Sequence, residues 1–167
     1  MPFTILHVGP ALLVGLPLRR RLHLPTFLVA SVAVDIEPLL VLILGLGYPL
    51  HSYLHTFLAS LAYGLLIGYM MYLYDKILSP LFRLLHLEER PMGKHSFLVA
   101  GVIGTEIHVL LDSPLYTDIR PFYPLPVNPL YNPSLMNLVY ALCLASWALG
   151  LILYIGLLPW KRMKQSL

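Results

Sequence analysis

The sequence predicts an all-α, polytopic helical membrane protein with about five transmembrane or membrane-embedded helices. Three observations carry this. The 167 residues are 58% hydrophobic and only 11% charged, whereas water-soluble domains run near about 25% charged. Mean hydropathy is +0.76. The apolar residues lie in long runs, which is what a bilayer requires.

Residues 24–46, 52–74, 94–113 and 134–158 each supply the roughly 20 mostly apolar positions that a spanning helix needs. Residues 4–18 form a shorter apolar stretch that carries Pro10 and Pro17, so a tilted, broken or half-inserted helix is expected there. Gly47-Tyr48-Pro49 reads as a tight link between two spans, and residues 75–93 as a mixed-charge connection with Lys76, Arg83, Glu88, Glu89 and Arg90. Residues 114–133 hold Pro114, Pro121, Pro124, Pro126, Pro129 and Pro133. Regular helix is excluded there, because each proline removes a donor and fixes φ. The whole chain, 1–167, reads as a single integral membrane domain without internal repeats.

Charge placement gives an orientation. Arg19–Arg21, Lys76, Arg83, Arg90, Lys94, Lys161, Arg162 and Lys164 fall on one side of the four spans, and Arg120 alone falls on the other. Basic loops favour the cytoplasm. The basic connections and the C-terminal segment are therefore expected on the cytoplasmic side of the cell membrane, and the proline-rich loop outside. The net charge of +3 is explained by topology rather than by nucleic-acid binding. The single cysteine, Cys143, excludes a disulfide framework and a CxxC zinc motif. The N-terminus lacks a basic leader region and is not read as a cleaved signal peptide.

Ionisable side chains inside a bilayer cost several kcal/mol each, so they usually have partners and a role. His7, Asp35, Glu37, His51, His55, Glu106, His108 and Asp112 are such residues. His51 and His55 are four apart, as are His108 and Asp112, and helical periodicity would put each pair on one face at the outer end of its span. Imidazole with carboxylate suits zinc, then manganese or iron. Asp35 would complete a set for one or two divalent ions. Helix capping, interfacial polarity or a plain hydrogen bond is the structural alternative at each position. His7 reads equally as ligand or interfacial residue. Asp35 and Glu37 are two apart and would face opposite ways on a regular helix, so Asp35 is the ligand and Glu37 a supporting residue or general base. Pro38 is placed to kink that helix. By the same spacing argument Glu106 is not a ligand beside His108. His23, His86 and His95, on the basic side, read as structural.

Several motifs also carry a resemblance. Met1-Pro2-Phe3-Thr4 with His7, Asp35-Ile36-Glu37-Pro38, His51-x3-His55-Thr56, Gly104-x3-His108-Val109-Leu110-Leu111-Asp112-Ser113 and Asp118-Ile119-Arg120-Pro121-Phe122 occur in that order. Together they resemble the membrane-bound, metal-dependent hydrolase family typified by the inner-membrane protein YdjM, across most of residues 1–125. That family is more remotely similar to zinc-dependent phospholipase C and related zinc nucleases. The resemblance implies metal ligands at His7, Asp35, His51 or His55, His108 and Asp112, with Asp112 placed to bridge two ions. No second His-x3-Glu follows, so the three-ion cluster of the soluble enzymes is not expected.

The resulting expectation is a membrane-embedded hydrolase that cleaves a phosphoester of a lipid or lipid-linked substrate near the outer leaflet. Arg120 would hold the substrate phosphate, since a guanidinium matches that geometry. Glu37 or a spare carboxylate would take the proton. The partners implied are the lipid bilayer and the lipid substrate, with a homo-oligomer compatible. Two rival readings are a metal-ion or proton transporter and a haem-binding electron carrier, the latter disfavoured by the carboxylates beside the histidines.

Overall fold

The computed structural model describes residues 5–88 and 90–165, with side chains up to residue 158. The Met1-Pro2-Phe3-Thr4 motif, Glu89, and the side chains of Trp160, Lys161, Arg162 and Lys164 lie outside the described residues. Among the described residues every regular element is helical: α1 (Ile5–Leu18), α2 (Leu24–Ala33), α3 (Ile36–Leu44), α4 (Phe57–Leu84), α5 (Lys94–Asp112) and α6 (Met136–Gln165), the last preceded by a 3₁₀ turn at Pro133–Leu135. Leu24–Leu44, Phe57–Leu84, Lys94–Asp112 and Pro133–Leu158 are long and apolar enough to cross a membrane. The chain is a multi-pass helical membrane protein. α1 has 14 residues and is continuous despite Pro10 and Pro17. At 1.5 Å per residue it reaches only about 21 Å, short of a roughly 30 Å hydrocarbon core.

The first long span is broken where Pro38 predicts. Proline has no N–H to give to the Val34 carbonyl. That carbonyl instead accepts from Glu37 N at 3.3 Å, and Asp35 N turns back to Val32 O at 3.2 Å. The tightened step separates α2 from α3 and puts Asp35 at the break. α3 ends at Gly45, whose φ of +61° is the left-handed geometry that closes many helices.

The next link is longer than expected. The Thr56 side chain accepts from Ala59 N at 3.1 Å, and Phe57 N donates to Pro121 O at 2.9 Å. Threonine is a strong N-cap, so α4 starts at Phe57. His51 and His55 therefore lie in irregular chain before the helix, not on its outer turn. α4 also runs on to Leu84, carrying Lys76 and Arg83 on its last turns instead of in a loop. Its 28 residues span about 42 Å, long enough for this end to clear the hydrocarbon.

α5 sits at the centre, against α4 on one side and α2 on the other, while α1 packs on α2 and α6. Small residues permit this closeness. A Cβ on Gly104 would come within 2.7 Å of Ala30 Cβ and 2.9 Å of Phe27 O, and one on Gly101 would strike the backbone of Gly64. Small-residue contacts of this kind are the usual means of helix association where lipid removes the hydrophobic drive. Thr105 Oγ1 donates to Ser60 O at 2.8 Å across the α4–α5 seam. Phe27, Ala30, Phe97, Ala100 and Val109 are fully buried. Leu39 and Ile43 on α3, Leu58 and Leu65 on α4, and Leu142 and Ile152 on α6 face outward, as a lipid-facing surface allows.

Candidate metal centre

The five polar side chains of the centre come from four places in the chain. α1 brings His7, the α2–α3 break brings Asp35, the turn before α4 brings His55, and the last turns of α5 bring His108 and Asp112. His7, His55, His108 and Asp112 are each at most 3% exposed. Asp35, His55, His108 and Asp112 offer ligand atoms that all lie within 4.8 Å of one another. His108 Nε2 is 3.4 Å from Asp35 Oδ1 and 3.5 Å from Asp112 Oδ2, and His55 Nε2 is 4.0 Å from Asp35 Oδ1. His7 Nε2 lies 3.2 Å from Asp112 Oδ1, with its ring stacked on His108 at 3.9 Å. Metal bonds of about 2.0 Å in a tetrahedron hold ligand atoms about 3.3 Å apart, so these separations suit a shared ion.

The far sides of the rings explain why the ligand atoms point inward. His55 Nδ1 is 3.2 Å from Glu37 Oε2, and His108 Nδ1 is 2.8 Å from the Ser31 carbonyl oxygen. A carboxylate and a carbonyl only accept, so each Nδ1 donates and each Nε2 turns its lone pair to the centre. Among the described residues, the Nε2 atoms of His7, His55 and His108 and both Asp112 oxygens make no hydrogen bond, the short His7–Asp112 approach included. Buried polar atoms left so cost about 1–3 kcal/mol each, and one divalent cation would satisfy several of them together. Burial also lowers the pKa of His55 against the opposing pull of Glu37, which keeps the ring neutral and ready to ligate.

Glu37 accepts from Tyr53 N at 2.6 Å, Leu54 N at 3.0 Å, Ser52 N at 3.2 Å and His55 Nδ1. A carboxylate engaged by four donors is an anchor for the 51–55 turn. Its oxygens are taken up by the 52–54 backbone and the His55 ring. The premise that Asp35 and Glu37 face opposite ways fails, because the helix breaks between them. Both reach the same imidazole, one from each side.

His51 stands beside the four-residue group rather than in it. Its ring is 4.7 Å from that of His55 and stacks on Tyr116 at 4.2 Å. Its Nδ1 lies 3.1 Å from Asp118 Oδ2, and its backbone N–H donates to the same oxygen at 3.1 Å. Sequence reasoning assigned Asp118 no role. The available signal was its place in the Asp118–Phe122 motif that follows the ligand pair. Glu106 accepts from Ser60 Oγ at 2.7 Å and stays outside the ligand set, as its spacing from His108 required. Arg120 is exposed and lines a cavity of about 650 Å³ with Asp118, Tyr48, Tyr53 and Tyr123. The cavity touches the centre through Asp118 and the 52–56 turn rather than through the ligands. No protein-family model, curated protein or solved structure matches this chain.

Proposed function

We propose that this chain is a membrane-embedded, metal-dependent hydrolase that cleaves a phosphoester of a lipid or lipid-linked substrate at the outer leaflet. The observation that carries the reading is the set of inward, unbonded Nε2 and carboxylate atoms backed by Glu37 and the Ser31 carbonyl. Asp35, His55, His108 and Asp112 would hold one divalent, zinc-like ion, with His7 joining Asp112 if a second is bound. Such an ion supplies Lewis acidity to a phosphoryl oxygen and acidifies water. The motif order that resembles zinc phosphoesterases selects this bond class over carboxylic esters.

The chain's own groups divide the remaining work. His51, with Nδ1 held by Asp118, has the arrangement of an imidazole oriented by a carboxylate to accept a proton on Nε2. It takes the role first assigned to Glu37. Arg120, at the cavity wall, is placed to hold phosphate. The basic ends of the helices face the cytoplasm.

The test is a screen of detergent-purified protein against lipid phosphomonoesters, phosphodiesters and carboxylic esters in micelles, before and after EDTA. Chelator-sensitive cleavage of a phosphoester, restored by zinc, is expected. Full metal content with no class cleaved would reject the hydrolase. Ionisable side chains are buried at both ends of the bundle, which favours metal-ion transport as the second reading. Zinc flux into liposomes would then be the positive result. Orientation is tested separately in a Cys143→Ala background. Val127→Cys should label from outside intact cells and Arg20→Cys should not, and the reverse pattern would invert the topology.

A further inference from the structure

At the opposite, basic end of the bundle, three more metal-ligating side chains converge. His23 precedes α2, Asp75 lies on the late turns of α4, and Glu88 lies in the chain after α4. Each offers an atom within 4.8 Å of the others. His23 Nε2 is 3.7 Å from Asp75 Oδ1, beyond hydrogen-bond length but near the spacing of about 3.3 Å between ligands of one tetrahedral ion. His23 is 1% exposed and the Glu88 side chain 2%. Among the described residues, His23 Nε2, Asp75 Oδ1 and Glu88 Oε2 have no hydrogen-bond partner.

Arg83 Nη2 approaches Glu88 Oε1 at 3.5 Å, on the side away from the unbonded Oε2. The buried His23 ring stacks on Phe97 at 3.9 Å and meets Phe82 edge-on at 5.8 Å. Its Nδ1 lies 2.7 Å from Thr26 Oγ1. Nδ1 also accepts from Thr26 N–H at 3.3 Å as the N-cap of α2, so ligation through Nε2 requires the ring proton to move to Nδ1, where the Thr26 hydroxyl can accept it.

We propose that His23, Asp75 and Glu88 form a second divalent-cation site, of the zinc, manganese or iron class, at the basic end of the bundle. The ion joins the start of α2, the end of α4 and the chain leading to α5. Three protein ligands leave a position for water. The site is independent of the hydrolase reading and stands or falls without it.

The experiment uses the full chain in detergent with both outer ligands removed, His108→Ala with Asp112→Ala. That variant should still bind about one equivalent of Zn²⁺, and Co²⁺ should give the visible absorption of a low-coordinate mixed nitrogen and oxygen site. Adding Glu88→Gln or His23→Ala should abolish both signals while helical circular dichroism persists. No metal in the folded outer-site variant would overturn the proposal. So would undiminished binding after Glu88→Gln and His23→Ala are combined. If the outer-site variant fails to fold, Glu88→Gln alone in the otherwise native chain decides the matter. It should lower zinc content by about one equivalent, and unchanged content would refute the site as a protonated hydrogen-bonded cluster.

Discussion

The two polar clusters sit at opposite ends of one bundle and are built on different principles. At the cluster proposed to lie outward, the outer cluster, acceptors that cannot donate fix the histidine tautomers: the Glu37 carboxylate behind His55 and the Ser31 carbonyl behind His108. At the inner cluster, His23 Nδ1 faces Thr26, whose hydroxyl can accept at 2.7 Å but whose backbone N–H also points at the same nitrogen from 3.3 Å. The outer rings are held with their Nε2 lone pairs toward the centre. The inner ring also serves as an N-cap and must change the hydrogen bond it makes when a cation arrives. Preorganisation of the supporting groups, more than the number of ligands, separates the two ends.

The most direct way to break this comparison is to remove an outer ligand. Asp112 leans on both His7 and His108. Asp112→Ala should remove most of the outer metal, read by elemental analysis, and chelator-sensitive hydrolysis with it. Retention of full metal content would mean that the outer cluster is a hydrogen-bonded core and no more prepared than the inner one.

His51→Ala sharpens the comparison by separating ligation from chemistry. Metal content should remain, while turnover should fall by about 100-fold or more, as for loss of a positioned general base. Asp118→Asn should cause a milder loss in the same direction, because His51 remains but its Nδ1 partner no longer carries charge. If His51→Ala removes metal instead, His51 is the ligand that its sequence spacing suggested.

Glu37→Gln tests preorganisation itself. The amide preserves the side chain's shape but lacks the charge that holds His55 and the 52–54 backbone. Metal affinity at the outer site should weaken by about 10- to 100-fold, the usual effect of losing an outer-shell partner. Behind His23 stands the neutral Thr26 hydroxyl in place of a carboxylate, so Thr26→Val should change inner-site affinity less. Equal losses at both ends would erase the distinction.

The parts of this arrangement that the sequence disclosed are those set by period and composition. Apolar length fixed the four spans, Pro38 fixed the break beside Asp35, and the i,i+4 spacing placed His108 and Asp112 together on α5. The 51–55 pair misled because His-x3-His looks helical until Thr56 is recognised as an N-cap, a local hydrogen bond that hydropathy does not register. The premise that Asp35 and Glu37 face opposite ways failed for a related reason. Opposite faces follow from a regular helix, and the broken one turns both acids toward His55. The inner cluster was passed over because His23, Asp75 and Glu88 lie far apart in the chain with no periodic relation. Only the packing of α2, α4 and α5 brings them together.

Arg120→Ala carries the smallest expected effect and gives the outer cavity its meaning. Arg120 is exposed on the wall of the cavity and lies apart from the ligand set. Its removal should leave metal content, helical content and the His51–Asp118 contact intact. A guanidinium that grips phosphate contributes roughly 1.5–3 kcal/mol where it is desolvated. Water and salt reduce that at an exposed position. A loss of about tenfold in kcat/KM toward a phosphoester is therefore expected, equivalent to about 1.4 kcal/mol. Because the contact is charge-assisted, the difference between wild type and variant should shrink as salt is raised. Arg120→Lys should recover part of the loss, since it restores charge without the bidentate fork. If Arg120→Ala cleaves phosphoesters at the wild-type rate at low salt, phosphate is held elsewhere. The remaining polar wall of the cavity, Asp118 with the 52–56 turn, would then mark a path for water rather than for the head group.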